Sequence, residues 1–396
     1  MSKKRIDAKD VGSHKTQKIL FLYLRTGGGH LSCAKTLSGY LSKKYGPKVD
    51  CVLVDVIKES KFGKYILEDG YRISQDGLIA ISNTAYALNL IKGVAKATVR
   101  MFTALSKSYL KKVFLKEKPD KIVIMHALVT RPAEMALDEL DMKIPIIVAV
   151  TDPYTIHPLW LTGKRVHYIV CSDMAKRTAL KKGIPGKSIT QFPYFVNEKY
   201  CNKLSSKQVL DIKKKLGFSP HKRLVLIIGG GDGMPNGNAL IKGLVKYIKK
   251  NSLNVDVAVI CGHNLRLKKY CTTLARKNSK TINMKVYGFI DFVYELINVS
   301  DFVITKAGPA TLIEILLLGK IPIINYYIWG QEKGNVTFVV KNRLGFYKTS
   351  NSKIFSLISD LMVKDKLRTR ILNNIKDIKL KNGTSKTAEF IYRYHI

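Results

Sequence analysis

KILFLYLRTGGGHLSCAKTLSGYLSKKY, residues Lys18 to Tyr45, opens with an apolar run of strand length, Lys18 to Leu24. It turns through Thr26-Gly27-Gly28-Gly29-His30 and continues with helical spacing. Strand, glycine loop and helix are the first unit of an α/β fold. The pattern repeats outward from it: Val49–Val56, Lys121–Met125, Ile144–Val150 and His167–Cys171 are short apolar runs, each followed by a loop or a helical stretch. A second series starts at Arg223 with RLVLIIGGGDGM and continues through VDVAVICG, MKVYGF, DFVITKAGP and KIPIINY. Continuous apolar strands alternating with helices imply parallel sheets covered on both faces. Two Rossmann-like domains facing each other across a cleft are therefore expected. The division is a basic tail over 1–17, an N-terminal domain over 18–200 with a basic amphipathic insertion at about 60–116, a linker over 201–220 and a C-terminal domain over 221–375. A C-terminal helix over 376–396 has the N-terminal domain as a surface to pack back on.

At 396 residues the chain has ample length for two cores, and 46% hydrophobic residues make it globular. Its charge is unusual: 68 Lys and Arg against 29 Asp and Glu give +39. Such a surface seeks polyanions, either nucleic acid or an anionic membrane. No RNP-like aromatic motif, zinc finger or helix-turn-helix signature is present, so no nucleic-acid partner is expected. The six cysteines contain no CxxC pair and read as reduced thiols. A polar, basic N-terminus argues against a secretory signal, and no uncharged apolar stretch reaches the length of a transmembrane helix. Membrane contact would then be peripheral. From Gly77 to Lys116 there is no acidic residue. On a helical wheel Lys92, Lys96, Arg100, Lys107 and Lys111 share one arc, with Leu90, Val94, Met101, Phe102, Leu105 and Tyr109 opposite. Two readings stand: a surface helix with its lysines in water, or a helix lying on an anionic bilayer with its apolar side in the interface.

Four clusters carry chemistry. The loop Thr26–His30 fits neither GxGxxG nor a Walker motif, and His30 at the helix start is either a cap or a base within reach of a hydroxyl. Gly229-Gly230-Gly231-Asp232-Gly233-Met234 follows a strand and can bring backbone N–H groups to a diphosphate. Thr305-Lys306-Ala307-Gly308-Pro309-Ala310-Thr311 enters a helix carrying Glu314, either a ribose ligand or an acid stabilised by the helix dipole. Gly330-Gln331-Glu332-Lys333-Gly334-Asn335 is a solvent loop or a reader of sugar hydroxyls.

In this order and spacing the clusters resemble the glycosyltransferases of the GT-B fold. Within them the sequence is similar to the branch of monogalactosyldiacylglycerol synthases and processive diacylglycerol glucosyltransferases, and more distantly to the lipid II N-acetylglucosamine transferases. The likeness runs from Lys18 to about Gly345 and rests on TGGGHLSCA, VTDPYTIHPLW (Val150–Trp160), IIGGGDGM, CGHN (Cys261–Asn264), YGFIDFVYELINVSDFVITKAGPATLIE (Tyr287–Glu314) and GQEKGN.

The resemblance implies inverting transfer of glucose or galactose from a UDP-sugar to diacylglycerol, giving a β-glycolipid. The alternative is transfer of N-acetylglucosamine to a polyprenyl-diphosphate-linked acceptor. It implies that Gly229, Gly230, Gly231, Asp232 and Gly233, with Ala307, Gly308, Pro309 and Thr311, face the diphosphate. Glu314 would hold the ribose, Phe289 and Ile290 the uracil, and Gln331, Glu332 and Asn335 the sugar. His30 would be the general base, Asp152 would orient it or the acceptor, and Gly28, Gly29, His157 and Trp160 would line the acceptor side or the membrane edge. Lys92, Lys96, Arg100, Phe102 and Lys107 would meet the membrane. No metal or other cofactor is implied, in keeping with the absence of a DxD triplet. Anionic lipid would be an activator, and the site of action the cytoplasmic side of the cell membrane. Arg343 departs from the small residue that relatives commonly carry there, as Gln191-Phe192-Pro193 departs from a glycine-bearing turn.

Overall fold

The computed structural model describes residues 16–25, 28–59, 84 and 87–395. Most of the basic tail, the loop residues Thr26 and Gly27, and the insertion from 60 to 83 lie outside the described residues.

The described residues form two six-stranded parallel sheets with their helices. The first contains β1 (Gln17–Tyr23), β2 (Val49–Asp55), β3 (Lys121–Ile124), β4 (Ile146–Ala149), β5 (His167–Val170) and β6 (Ile189–Gln191), in the order β2-β1-β3-β4-β5-β6. The second contains β7 (Arg223–Ile228), β8 (Val255–Ile260), β9 (Met284–Tyr287), β10 (Phe302–Lys306), β11 (Ile321–Tyr326) and β12 (Phe346–Tyr347), in the order β12-β11-β10-β7-β8-β9. Ile19–Tyr23 and Leu224–Ile228 are buried along their whole length, as strands covered on both faces must be. Strand order reverses between β1 and β3 and again between β10 and β7. Ligands in open α/β sheets bind outside the carboxyl ends of the strands at such switch points. The Gly28–His30 turn follows β1, the GGGDG loop follows β7 and Ala307–Pro309 follows β10.

The chain crosses between the halves twice, and the crossings hold each other. Asn382 Nδ2–H donates to the Val196 carbonyl at 2.7 Å, and Val196 N–H donates back to Asn382 Oδ1 at 3.2 Å. Gly383 N–H donates to the Tyr194 carbonyl at 2.8 Å. A methyl on Gly383 would lie 1.9 Å from the Pro193 carbonyl oxygen, so only glycine permits this approach. The final helix, Thr384–Arg393, then lies on the helix Gly29–Tyr45 of the first half. Lys121, fully buried, donates to the carbonyls of Ile391 at 2.7 Å and Tyr392 at 2.9 Å. Its ammonium thereby meets the negative end of that helix. Burial pulls the amine down to about 8.

The basic helix, Lys92–Glu117, does not divide as its wheel suggests. Phe102 is buried with Leu110 and Phe114 in the core of the first half, so it is not a membrane contact. The hydrophobic effect claims Phe102 of the wheel's apolar face for the core, while Leu90 and Met101 of the same face stay exposed. Lys107 and Lys111 both bond Glu139 of the neighbouring helix and form a local ion-pair cluster. Lys96 and Arg100 remain exposed, beside exposed Leu88, Leu90, Ile91 and Met101. The side chain of Lys92 is outside the described residues. Among the described residues no helix is long and apolar enough to cross a membrane.

Candidate active site

His30 stands in the first turn of the helix Gly29–Tyr45, with Gly28 and Gly29 exposed at the mouth. Its Nδ1 lies 2.9 Å from Thr151 Oγ1. The ring meets that of His126 edge-on at 4.7 Å and has Trp160 behind it at 6.2 Å. Burial lowers the imidazole to about 4, against an opposing pull from the Met125 carbonyl. His126 follows β3, the neighbour of β1 across the switch point, and its Nδ1 accepts the Leu128 N–H at 3.2 Å. The neutral ring therefore carries its proton on Nε2. Burial, and secondly the proximity of His30, hold it well below its ordinary value.

Asp152 does not orient His30; Thr151, one residue earlier, contacts that ring. The Asp152 carboxylate is buried and points elsewhere: Oδ2 accepts the Trp160 indole N–H at 2.6 Å and Oδ1 accepts the Gln331 Nε2–H at 3.2 Å. Burial raises its pKa to about 6, the two hydrogen bonds oppose that, and Glu332 adds to it. Trp160, at 1% exposure, is buried behind His30 and lines no open surface. His157 is also buried; its Nδ1 accepts the Leu159 N–H at 3.1 Å and caps the short turn Pro158–Leu161. A packed hydrophobic interior, which the residue types alone do not reveal, converts both from lining to support.

The second half presents its loops opposite. Gly230 and Gly233 take left-handed φ of 85° and 77°, and a methyl on Gly229 would lie 2.1 Å from the Gly233 carbonyl oxygen. Gly262, at φ 57°, leaves room for the Gly231 carbonyl, which accepts the His263 N–H at 2.8 Å. These glycines are required by backbone approaching backbone. Asp232 lies in the same half-buried turn. Gly308 and Pro309 open the helix Pro309–Leu317, with Thr311 in its first turn, Ala307 buried behind and Glu314 one turn on. Burial raises Glu314 to about 8, which Lys199 opposes. Phe289 is exposed and stacks on His263 at 4.2 Å, with Ile290 half-buried beside it.

Lys306 completes this side. Its Cε lies 3.4 Å and 3.6 Å from where methyls on Gly230 and Gly308 would be, so the amine stands between the two loops. Its Nζ is 3.9 Å from Glu332 Oε1. Glu332 is not free to read a sugar as its loop position suggests: it is buried, and its Oε2 accepts the Ile328 N–H at 2.8 Å. Asn335, also buried, donates to the Ala307 carbonyl at 2.7 Å, and its Oδ1 has no partner among the described residues. Gln331 alone of the three bridges the halves. Beside it, Gly334 N–H donates to Thr155 Oγ1 at 2.9 Å and Tyr154 stacks on Phe338 at 4.4 Å.

Sequence reading passed over Thr151, His126 and Lys306 as site residues. Thr151 and Lys306 stand inside the quoted VTDPYTIHPLW and TKAGP motifs. His126 lies in no motif, and only the adjacency of β3 to β1 brings it to His30.

Comparison with known proteins bears on the fold and the family. The model of the monogalactosyldiacylglycerol (MGDG) synthase family matches residues 30–193, and that of the glycosyltransferase family 28 C-terminal domain matches 224–375. A probable chloroplastic monogalactosyldiacylglycerol synthase of Nicotiana tabacum is 29% identical over 88% of this chain, which spans 65% of that protein's length. Monogalactosyldiacylglycerol synthase 2 of Arabidopsis thaliana, also chloroplastic, is 28% identical over 88% of this chain and 75% of its own. The crystal structure of Acinetobacter baumannii MurG superposes with a TM-score of 0.61 at 13% identity, covering 96% of this chain and all of the other. Anabaena HepE in complex with UDP-glucose gives 0.55 at 14% identity, over 95% and 98%. These structures share the fold, and the two sheets with their facing loops are a GT-B architecture. By the two domain matches and the synthases it resembles, this chain is a UDP-sugar-dependent glycosyltransferase whose first half matches the monogalactosyldiacylglycerol synthase family and whose second half matches the glycosyltransferase family 28 C-terminal domain.

Proposed function

We infer that this chain transfers a hexose, galactose or glucose, from a UDP-sugar to the hydroxyl of diacylglycerol with inversion, forming a β-glycolipid. The observation that carries this is the Asp152–Gln331 hydrogen bond of 3.2 Å, which sets the loop following the base's partner Thr151 against the sugar-reading loop of the opposite half. His30, neutral because it is buried, takes the proton of the acceptor hydroxyl. The hydroxyl oxygen attacks the anomeric carbon from the face opposite UDP, the anomeric C–O bond breaks, and its electron pair leaves on the diphosphate. Charge building there is met by the Gly229–Gly233 amides, the N-terminus at Gly308–Thr311 and the Lys306 amine. Glu314 holds the ribose and Phe289 with Ile290 the uracil. These groups serve the diphosphate with no metal invoked.

Acceptor and enzyme meet at a peripheral, anionic membrane surface on its cytoplasmic side, with Lys96 and Arg100 near the headgroups and Leu90, Ile91 and Met101 in the interface. Anionic lipid acts there as recruiter and activator, each lysine or arginine near the surface contributing about 1 kcal/mol. The test is UDP release on diacylglycerol liposomes with and without anionic lipid, offering UDP-galactose, UDP-glucose and UDP-N-acetylglucosamine in parallel. Release with a hexose donor that requires diacylglycerol and collapses in His30→Ala is the expected result. Release only with UDP-N-acetylglucosamine and a polyprenyl-diphosphate acceptor overturns it.

A further inference from the structure

Trp160, Asp152 and Gln331 form a hydrogen-bonded chain from the core of the first half to a loop of the second. Each link has one direction only. An indole N–H can only donate, so at 2.6 Å Asp152 Oδ2 is its acceptor. The remaining oxygen, Oδ1, accepts from whatever faces it across the cleft, and at 3.2 Å that is Nε2 of Gln331. Trp160 is buried to 1% and Asp152 to 7%, so neither is a rotor that adapts to the glutamine; the glutamine, half-buried, adapts to them.

A primary amide is ambiguous: turned by 180° it offers a donor where it offered an acceptor. Facing a carboxylate removes the ambiguity, since only the NH2 end can sit there. Of the three polar residues assigned to the sugar, Glu332 is held by Ile328 N–H and Lys306, and Asn335 is tied to Ala307. Gln331 is the one whose orientation is set from the opposite half.

We propose that Asp152, itself held by Trp160, is a positioning residue that locks the Gln331 amide so that its carbonyl oxygen is presented to a hydroxyl of the transferred sugar. This rests on the UDP-hexose reading above. Asp152 touches neither donor nor acceptor; it acts through Gln331, and it makes recognition of the sugar depend on a group in the other half. UDP alone, which lacks the sugar, does not feel the lock.

The test is titration calorimetry of the full chain with UDP and with whichever UDP-hexose supports turnover, on wild type, Trp160→Phe, Asp152→Asn, Gln331→Leu and the double variant Asp152→Asn with Gln331→Leu. UDP affinity is expected to stay within about threefold in all of them, which also reports an intact donor site. UDP-hexose affinity is expected to fall roughly tenfold in Asp152→Asn and in Gln331→Leu, the scale of one charge-assisted hydrogen bond. Trp160→Phe is expected to fall in the same direction by less. The double variant is expected to lose no more than Gln331→Leu alone, because the two residues act as one unit. Additive losses, or equal losses for UDP and UDP-hexose, overturn the proposal while leaving the reaction in place. A wild type that binds UDP but no UDP-hexose overturns the donor reading and the proposal with it.

Discussion

At the scale of single residues, burial sets the protonation states on which the chemistry depends. His30 is pushed down to about 4 and Asp152 up to about 6. As pH falls from 7, Asp152 takes up its proton first, and a neutral carboxyl no longer compels Gln331 to present its NH2 end. His30 stays a proton acceptor until about 4. The acid limb of kcat/KM is therefore expected near pH 6 in the wild type, and in Asp152→Asn, at lower overall activity, it moves toward 4. A pH profile of both checks this. Glu314, raised to about 8, is protonated in the free protein at neutral pH. Accepting ribose hydroxyls favours the ionised form, so UDP binding releases a proton and tightens as pH rises through 8, levelling above it. Calorimetry in two buffers of different ionisation enthalpy is expected to show that proton, and Glu314→Gln to abolish it.

At the scale of elements, the helix Lys92–Glu117 splits its work between core and surface. Phe102→Ala is expected to cost about 3–5 kcal/mol of stability, as truncation of a buried aromatic does, and to be seen in denaturant unfolding. Lys96→Ala with Arg100→Ala is expected to leave unfolding unchanged within about 0.5 kcal/mol and to weaken binding to anionic liposomes. The reverse pattern would place the membrane face on the other side of the helix. Arg343 shows why a departure noticed in sequence has a structural cost. It follows the helix Lys333–Lys341 and takes a left-handed φ of 54°, where glycine is the favoured C-terminal stop. Arg343→Gly is expected to stabilise by about 0.5–1 kcal/mol, because the left-handed strain of a side chain outweighs the added freedom of glycine in the unfolded chain. Thermal unfolding checks the sign.

At the scale of the whole molecule, the two sheets are joined by groups far apart in the chain: Asn382 with Val196, Lys121 with the end of the final helix, and Asp152 with Gln331. The fold was legible in the chain because strands buried on both faces must be continuously apolar, and the runs Lys18–Leu24 and Arg223–Ile228 announce themselves with the glycine loops that end them. The glycine positions were legible too, since a backbone that must approach another backbone admits nothing larger. Side-chain partnership was not. A helical wheel shows which residues share a face but not which face is buried, so Phe102 passed for a membrane residue. A motif places Thr151, Asp152 and Glu332 near the chemistry but cannot say which of their atoms are already occupied. Residue type and local spacing thus determined the sheets, the loops and the neighbourhood of the site. Only tertiary packing decided that Thr151 holds His30 and that Asp152 holds Gln331, because hydrogen-bond partners separated by 121 and 179 residues meet only when the strands and sheets are assembled.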